Sequence, residues 1–525
     1  MKLEMNSIRH YAAIVVIPAL MFCLPLILRS YYGPFFLGYN SDPDYAYLLN
    51  ALNIINAIPP GHTDHPGTTV QLLGSVGLLL KWLSHLATGG HLGMNEFVLR
   101  YPEESLGAIN LLLNILIFIA FCFSSMSIYR AMRGIGPVLA FQLSLLIPIQ
   151  VKLSLFRVDP EPLLVFTVLV LSGLLVRYQI SDQAAPPRFR IPVFVGVVMG
   201  FGIATKITFI PIVLLVAFFP TLRERLLATC GCITSFLLFT LPIITKYPKM
   251  FSWFGALATH KDQYGKGDVG LPPLAKLMAN LLELIQKEPF IFIFLTCYLI
   301  FLVAKNCSAK QSGTHKSYRL LALGAIVIIV QVVMTIKHPG VHYMLPAITL
   351  TALLNAVLID TLKNNPDISI FLIGNYLFYS MIFAGIIYGS YVTKSWANDS
   401  EKYIKNEIAL SNKINSMSGC SAITYYRASS IEYALAFGNE YSSFSFAREL
   451  STIYPDKLFY HLWSGVFYNY QSVVSTPNIN DLLSRNQCLL LVGVPMDESY
   501  GNNLNLTLLG STKLSAVYKL ERLKF

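Results

Sequence analysis

IPVFVGVVMGFGIATKITFIPIVLLVAFF, residues 191–219, carries a single charged side chain, Lys206, between two long apolar runs. Backbone N–H and C=O groups in so apolar a stretch can be satisfied only inside helices, and helices of this composition belong in a bilayer. Each half is shorter than the roughly 20 residues that cross an untilted bilayer. The stretch therefore reads either as two short spans, near 191–205 and 207–221, or as one kinked or merged hairpin around Lys206. Working outward, comparable windows lie near 11–29, 105–128, 136–151, 162–176, 226–244, 289–304, 320–336, 344–361 and 368–391. The pattern predicts an α-helical polytopic membrane protein with about eleven transmembrane helices.

The composition of the 525 residues agrees: 54% are hydrophobic and 13% charged, with a mean hydropathy of +0.56. A soluble domain carries about a quarter charged residues. The net charge of +11 would suit a nucleic-acid partner. However, no basic run is interleaved with aromatics, and the cations cluster in short loops, which excludes nucleic acid. With a cytoplasmic N-terminus, Arg130 and Arg133, then Arg177, Arg188 and Arg190, then Arg223 and Arg225, then Lys305, Lys310, Lys316 and Arg319 all fall inside, as the positive-inside rule requires. The first span lacks a small-residue cleavage site and reads as a retained helix. Residues 1–391 form the transmembrane domain, whose first outer loop, 30–104, includes an apolar run, Val70–Leu83, that reads as a helix lying in the interface. Residues 392–525 alternate strand-like Ala422–Tyr426, helix-like Ser430–Phe437, strand-like Leu458–Tyr470, helical Ile479–Arg485 and strand-like Cys488–Val494. This predicts a small extracytoplasmic α/β domain. Cysteine spacing matches no metal site and no disulfide framework; only Cys420 and Cys488 share the soluble segment, and whether they are bonded stays open.

The residues suited to chemistry sit in the polar breaks on the outer face. SDPDYAY, 41–47, places Asp42 and Asp44 just after the first span. Two close carboxylates push one pKa upward and suit a general base, although a solvated turn with Asp42 capping the next helix would look the same. GHTDHPGTT, 61–69, offers His62, Asp64 and His65. A divalent metal is one reading of that trio, but its spacing matches no standard site; His65 more naturally shapes the loop or touches substrate. Arg100 is a phosphate contact or a snorkelling anchor. In FRVDPEP, 156–162, the acidic residues favour a helix start, which accounts for Glu161, while Arg157 and Asp159 also pair and position a substrate group. Lys206 has no acidic neighbour in sequence, so it either snorkels or binds an anion. KHPGVHYMLP, 337–346, adds Lys337, His338, His342 and Tyr343 as donors for a phosphate, or as an interfacial belt.

With these motifs in place, residues 10–390 resemble the GT-C superfamily of membrane glycosyltransferases, which includes protein O-mannosyltransferases and the aminoarabinose transferase of lipid A. The resemblance rests on DYAYL (44–48), HPG (65–67), RVDPEP (157–162), GFGIATK (200–206) and HYMLP (342–346), in that order. It implies a polyprenyl-phosphate sugar as donor substrate and an acidic residue of the first outer loop as base. By motif position the base is Asp44, with Asp42 as second candidate. It also assigns Lys206, His338 and His342 to the lipid-linked phosphate. Where many members carry a Glu after the acidic residue, this chain has Tyr45. The implied partners are membrane lipids, the lipid-linked donor, and a lipid, glycan or protein acceptor. The implied location is a bacterial inner membrane, with the endoplasmic reticulum as the alternative. The rival reading, from another class, is a transporter or flippase of a lipid-linked anion; it would need broken polar helices or internal repeats, neither of which stands out.

Overall fold

The computed structural model describes residues 2–37, 44–64, 66–180, 189–259, 272–307, 315–363, 368–417, 419–462, 464–474, 484, 488–496 and 504–523. The chain begins with helix α1 (Lys2–Tyr32), then α2 (Asp44–Ile55), α3 (Thr68–Ala87), the short α4 (Met94–Arg100) and the long α5 (Pro102–Met132). Proline at the first position of α5, with Glu103 and Glu104 in the first turn, fixes where that helix begins. Next come α6 (Ile135–Ser144), α7 (Ile149–Ser154), α8 (Glu161–Ile180) and α9 (Arg190–Thr205), followed by a 3-10 helix at Ile207–Phe218 and by α10 (Leu222–Thr240). The remaining membrane helices are α11 (Tyr247–Thr259), α12 (Leu274–Lys287), α13 (Pro289–Cys307), α14 (His315–Ile336), α15 (Leu345–Lys363) and α16 (Ile368–Ser416).

Among the described residues, eight helices are long and apolar enough to cross a membrane, or nine if the pair α12–α13, bent by 98°, forms one span. The protein is an integral membrane protein. The expected windows at 136–151, 191–205 and 207–221 form shorter apolar helices of 10, 16 and 12 residues. The break at Lys206 separates the last two. α3, expected in the interface, has the length and composition of a span.

Small residues set the tightest packing. A Cβ added at Gly196 of α9 would lie 2.0 Å from the Ala228 carbonyl of α10, and one at Gly200 would lie 2.1 Å from the Cys232 carbonyl. Two membrane helices approach this closely only where a small-xxx-small stripe faces the partner backbone. That contact fixes the C-terminal end of α9, where Lys206 follows. α15 is the most enclosed helix, buried over 94% of its span window, and forms the centre of the bundle.

α16 runs for 49 residues, past residue 391 where the composition turns polar, and carries the chain to a small α/β unit. Its strands are β1 (Ser421–Tyr425), β2 (Phe459–His461), β3 (Val466–Tyr468), β4 (Val473–Val474), β5 (Leu489–Gly493), β6 (Leu504–Ser511) and β7 (Ala516–Leu523). They form one sheet in the order β4-β3-β2-β1-β5-β7-β6, with β1 parallel to β2 and β5 and the other pairs antiparallel. Two helices, α17 (Ile431–Tyr441) and α18 (Ala447–Ile453), make the crossover from β1 to β2. Ser430 caps α17 by accepting from the Tyr433 N–H at 3.1 Å. The expected strand and helix near 422 and 430 are present; 479–485 lies outside the described residues except for Ser484. β6, β7 and α18 were not expected.

Two features tie this unit to the membrane helices. The buried Glu407 of α16 accepts from the hydroxyls of Ser429, Thr512 and Ser515 at 2.8, 2.5 and 2.6 Å. α17 packs on α2: Asn50 and Asn53 donate to the carbonyls of Tyr441 and Ser442 at 3.2 and 3.0 Å, and a Cβ at Gly438 would lie 2.6 Å from the Tyr45 carbonyl. Cys420 and Cys488 are bonded, with their Cα atoms 4.5 Å apart, which resolves the pairing left open by the sequence.

Candidate active site

Asp44 is the first residue of α2 and is fully buried. Its Oδ1 accepts from the Val158 N–H at 2.5 Å, and its Oδ2 lies 3.6 Å from the Arg157 guanidinium. Arg157 also reaches Asp159, 3.4 Å away. The turn 156–160 is rigid because Asp159 Oδ1 accepts from the Glu161 N–H at 3.2 Å, closing the N-terminus of α8. Asn110 of α5 donates to the carbonyls of Leu155 and Arg157, both at 3.0 Å. Burial pushes the Asp159 carboxyl well above the usual carboxylate range, and the Glu161 charge adds to the rise, with Arg157 opposing it.

From the other side, Lys206 is 2% exposed and donates to Glu161 Oε1 at 2.5 Å. The ammonium also sits 5.3 Å from the centre of the Tyr343 ring, within cation–π range. Neither snorkelling nor an isolated cation describes this residue: its acidic partner comes from a different helix. Glu161 therefore does more than start α8. A buried ammonium demands a counter-charge, and the acidic residue of RVDPEP is on the same face, which is the signal that the sequence offered for this pair.

Backbone contacts lock these groups in place. Pro66 pairs with Lys206 in an antiparallel bridge, Thr69 and Thr205 share a hydroxyl hydrogen bond at 2.7 Å, and the Thr68 hydroxyl donates to the Ala204 carbonyl at 3.4 Å. Gly67, with φ of 72°, makes the turn before α3 that brings this loop against Tyr47, whose ring a Cβ would meet at 3.2 Å. Gln331 of α14, almost fully buried, donates to the carbonyls of Thr208 and Tyr343 at 3.1 and 2.7 Å, so it ties the segment after Lys206 to the HYM segment. Nothing in the sequence singled out Gln331. Glu103 was missed as well: it accepts from the N–H groups of Phe35 and Phe36 and from the Tyr45 hydroxyl at 2.7, 3.1 and 2.8 Å. The position where many GT-C members carry a Glu is thus a tyrosine that anchors α2 to α5.

The structure brings Asp44, Arg157, Asp159, Lys206 and Tyr343 into one array, with His338 and His342 beside it, their rings 5.7 and 4.0 Å from that of Tyr343. Lys337 donates to the Leu257 carbonyl of α11 at 3.1 Å. Arg100 makes its described ion pair with Glu96, one helical turn away at 2.8 Å, and both side chains are exposed. Asp42 and His65 lie outside the described residues. His62 is held between Tyr47 and Tyr441, at ring distances of 5.2 and 5.1 Å. No group of three or more His, Cys, Asp and Glu side chains among the described residues is arranged to hold a metal ion.

No protein-family model matches the sequence, and no curated protein sequence matches it. Solved structures do. ArnT from Cupriavidus metallidurans in the apo state aligns over 96% of this chain and 97% of its own, at 13% identity and a TM-score of 0.54. The same protein bound to undecaprenyl phosphate covers the same shares, at 12% identity and a TM-score of 0.51. An oligosaccharyltransferase, AglB from Archaeoglobus fulgidus in complex with an inhibitory peptide and a dolichol-phosphate, aligns over 75% of this chain and 56% of its own, at 12% identity and a TM-score of 0.41. With ArnT matched along nearly its whole length, this chain has the GT-C fold that its ordered motifs resemble.

Proposed function

We propose that the protein is an integral-membrane glycosyltransferase that moves a sugar from a polyprenyl-phosphate donor to a hydroxyl of a cell-envelope lipid, glycan or protein. The observation that carries this reading is the convergence of Asp44, Arg157, Asp159, Lys206 and Tyr343, from four separate segments, on one buried array. It occurs in a fold shared with ArnT, a protein solved with undecaprenyl phosphate bound.

In this reading Asp44 is the base. The Val158 N–H and the Arg157 guanidinium hold the Asp44 carboxyl in place beside the array. The Asp44 carboxylate takes the acceptor hydroxyl proton as the acceptor oxygen bonds to the anomeric carbon. The bond from that carbon to the phosphate oxygen breaks on the opposite face, its electron pair leaves with the lipid phosphate, and the configuration inverts. Lys206, His338, His342 and the Tyr343 hydroxyl stabilise the departing phosphate, with Lys337 and Arg100 as outer contacts. Asp159 and Arg157 position Asp44, while Asp42 remains the second candidate base and His65 a candidate substrate contact on the sequence reading alone. A base so placed contributes about 10² to 10⁴ in rate. The Cys420–Cys488 bond supports an extracytoplasmic location for the α/β unit, since such bonds persist in oxidising compartments, the bacterial periplasm and the lumen of the endoplasmic reticulum alike.

The test is release of lipid phosphate by purified protein in liposomes, supplied with radiolabelled polyprenyl-phosphate hexoses and pentoses. Release that depends on acceptor supports transfer; movement of label across the bilayer without release supports a transporter instead. Full transfer by Asp44→Asn would remove Asp44 as the base.

A further inference from the structure

The α/β unit contains a cleft that the transfer step does not use. Its volume is about 330 Å³, within the range of roughly 300 to 1,000 Å³ typical of small-ligand sites. It lies between the C-terminal end of α17 and the β2–β3–β4 edge of the sheet, lined by Glu440, Phe444, His461, Tyr468, Asn469 and Gln471 among others. No Lys or Arg is among the described residues lining it. The surface facing the cleft is mainly apolar, and the Phe444 and Tyr468 rings can pack on the C–H faces of a sugar, with the few polar atoms that reach the cleft left to meet its hydroxyls. A carboxylate, Glu440, in the lining argues against a phosphate or carboxylate ligand.

The backbone at the cleft is a second, independent observation. Ser443 and Phe444 are successive non-glycine residues with φ of 65° and 59°. Left-handed backbone costs such residues energy and persists where the surroundings enforce it. Here Asn439, 1% exposed, enforces it: its carbonyl accepts from the Phe444 N–H at 2.7 Å and its Oδ1 from the Phe446 N–H at 3.0 Å. The outcome is a phenylalanine held 53% exposed at the cleft while its neighbour Phe446 enters the core. His461 is also oriented, because its Nδ1 accepts from the Ser464 N–H at 3.1 Å.

The cleft is joined to the site described above. Tyr441, next to Glu440, packs on His62, and His62 packs on Tyr47, one turn along α2 from Asp44. Lys246 from the membrane helices donates to the Ser443 hydroxyl at 3.2 Å. We infer that this cleft binds a neutral glycan portion of the acceptor and so selects which molecule presents its hydroxyl to the array. The word acceptor rests on the transferase reading; glycan binding does not.

The full-length protein in lipid nanodiscs is titrated, by saturation-transfer NMR, with maltotriose, mannotriose, N,N′,N″-triacetylchitotriose, trigalacturonate and a triserine peptide. At least one neutral trisaccharide is expected to bind best. Phe444→Ala and Gln471→Ala, both at exposed positions, are each expected to weaken it by about tenfold, while Asp44→Asn leaves it unchanged. With transfer measured, the same two variants raise KM for a glycan acceptor and spare kcat. The proposal is overturned if no neutral trisaccharide binds, if trigalacturonate or the peptide binds more tightly, or if both variants bind as wild type. Failure of the wild type to release lipid phosphate from any donor would sink the transferase reading separately, and the titration would still decide the cleft.

Discussion

Replacing Lys206 by methionine tests whether the buried array is one closed electrostatic unit. Lys206 and Glu161 are 2% and 6% exposed, and they are joined at 2.5 Å. Lys206→Met would leave the Glu161 carboxylate desolvated, with Asp159, itself 5% exposed, as an acidic neighbour. Breaking a buried pair from one side costs about 3 to 5 kcal/mol, because the surviving charge keeps its desolvation penalty and loses its compensation. Replacing both partners by apolar residues of similar volume removes both terms, so Lys206→Met combined with Glu161→Met is expected to lie within about 1 kcal/mol of wild type or above it. Reversible unfolding in mixed micelles, followed by tryptophan fluorescence, measures the double-mutant cycle. A Lys206→Met loss below about 0.5 kcal/mol, or a double variant whose loss equals the sum of the singles, would refute the closed-unit argument. A double variant that folds but transfers nothing would show that the Lys206–Glu161 pair also serves the reaction.

Four further outcomes follow from the same geometry. Asp44→Asn keeps an acceptor for the Val158 N–H; transfer should fall by about 10² to 10⁴, while the unfolding midpoint stays near that of wild type. Because the Asp159 carboxyl is raised in the folded state, the folded protein binds that proton more tightly than the unfolded chain. The stabilisation is fully present below about pH 4 and is lost as pH rises through the folded-state value; thermal unfolding across pH should show this decline, and Asp159→Asn should flatten it. Gly196→Ala brings a methyl within 2.0 Å of the Ala228 carbonyl and should lower the unfolding temperature, whereas Gly255→Ala, with nothing within 4 Å, should not. Cys420→Ser opens a bridge spanning 68 residues; chain entropy puts its contribution at roughly 4 kcal/mol, readable as earlier loss of sheet structure in denaturant.

Many of the membrane helices were legible in the sequence because the bilayer imposes one rule on every span, and runs such as 320–336 obey it. The same rule made the motifs visible: charge is costly between lipid tails, so RVDPEP, the break at Lys206 and KHPGVHY stood out as outer-face groups. Pairing was not legible. Lys206 and Glu161 are 45 residues apart, and Asp44 and Val158 are 114 apart, and only packing decides which polar breaks meet. The close approach of α9 to α10 depends on carbonyls of the partner helix, which hydropathy does not register. In the α/β unit, the buried strand β5, LLLVG, gave a clear apolar run, whereas β1, SAITY, is half exposed and was marked by its β-branched and aromatic residues. β6 at the sheet edge shows only intermediate and exposed residues after Leu504, so its pattern is weak, and α18 is only 7 residues long.

The array also bears on how an anionic donor could approach. Two cations, Arg157 and Lys206, face three carboxylates, Asp44, Asp159 and Glu161. The array therefore carries one excess negative charge, or none when Asp159 is protonated, and long-range attraction for a phosphate cannot come from its net charge. An ammonium has three donors in rotatable positions, and the pairing with Glu161 orients Lys206. Its other described neighbour is the Tyr343 ring, and His342 lies against that ring. In the proposed transferase the phosphate would enter from the Tyr343 side, while Asp44 works from the Arg157 side. The pairing with Glu161 would then keep the ammonium fixed between the two halves of the reaction, so that loss of Glu161 should disturb donor binding even though the residue touches no substrate.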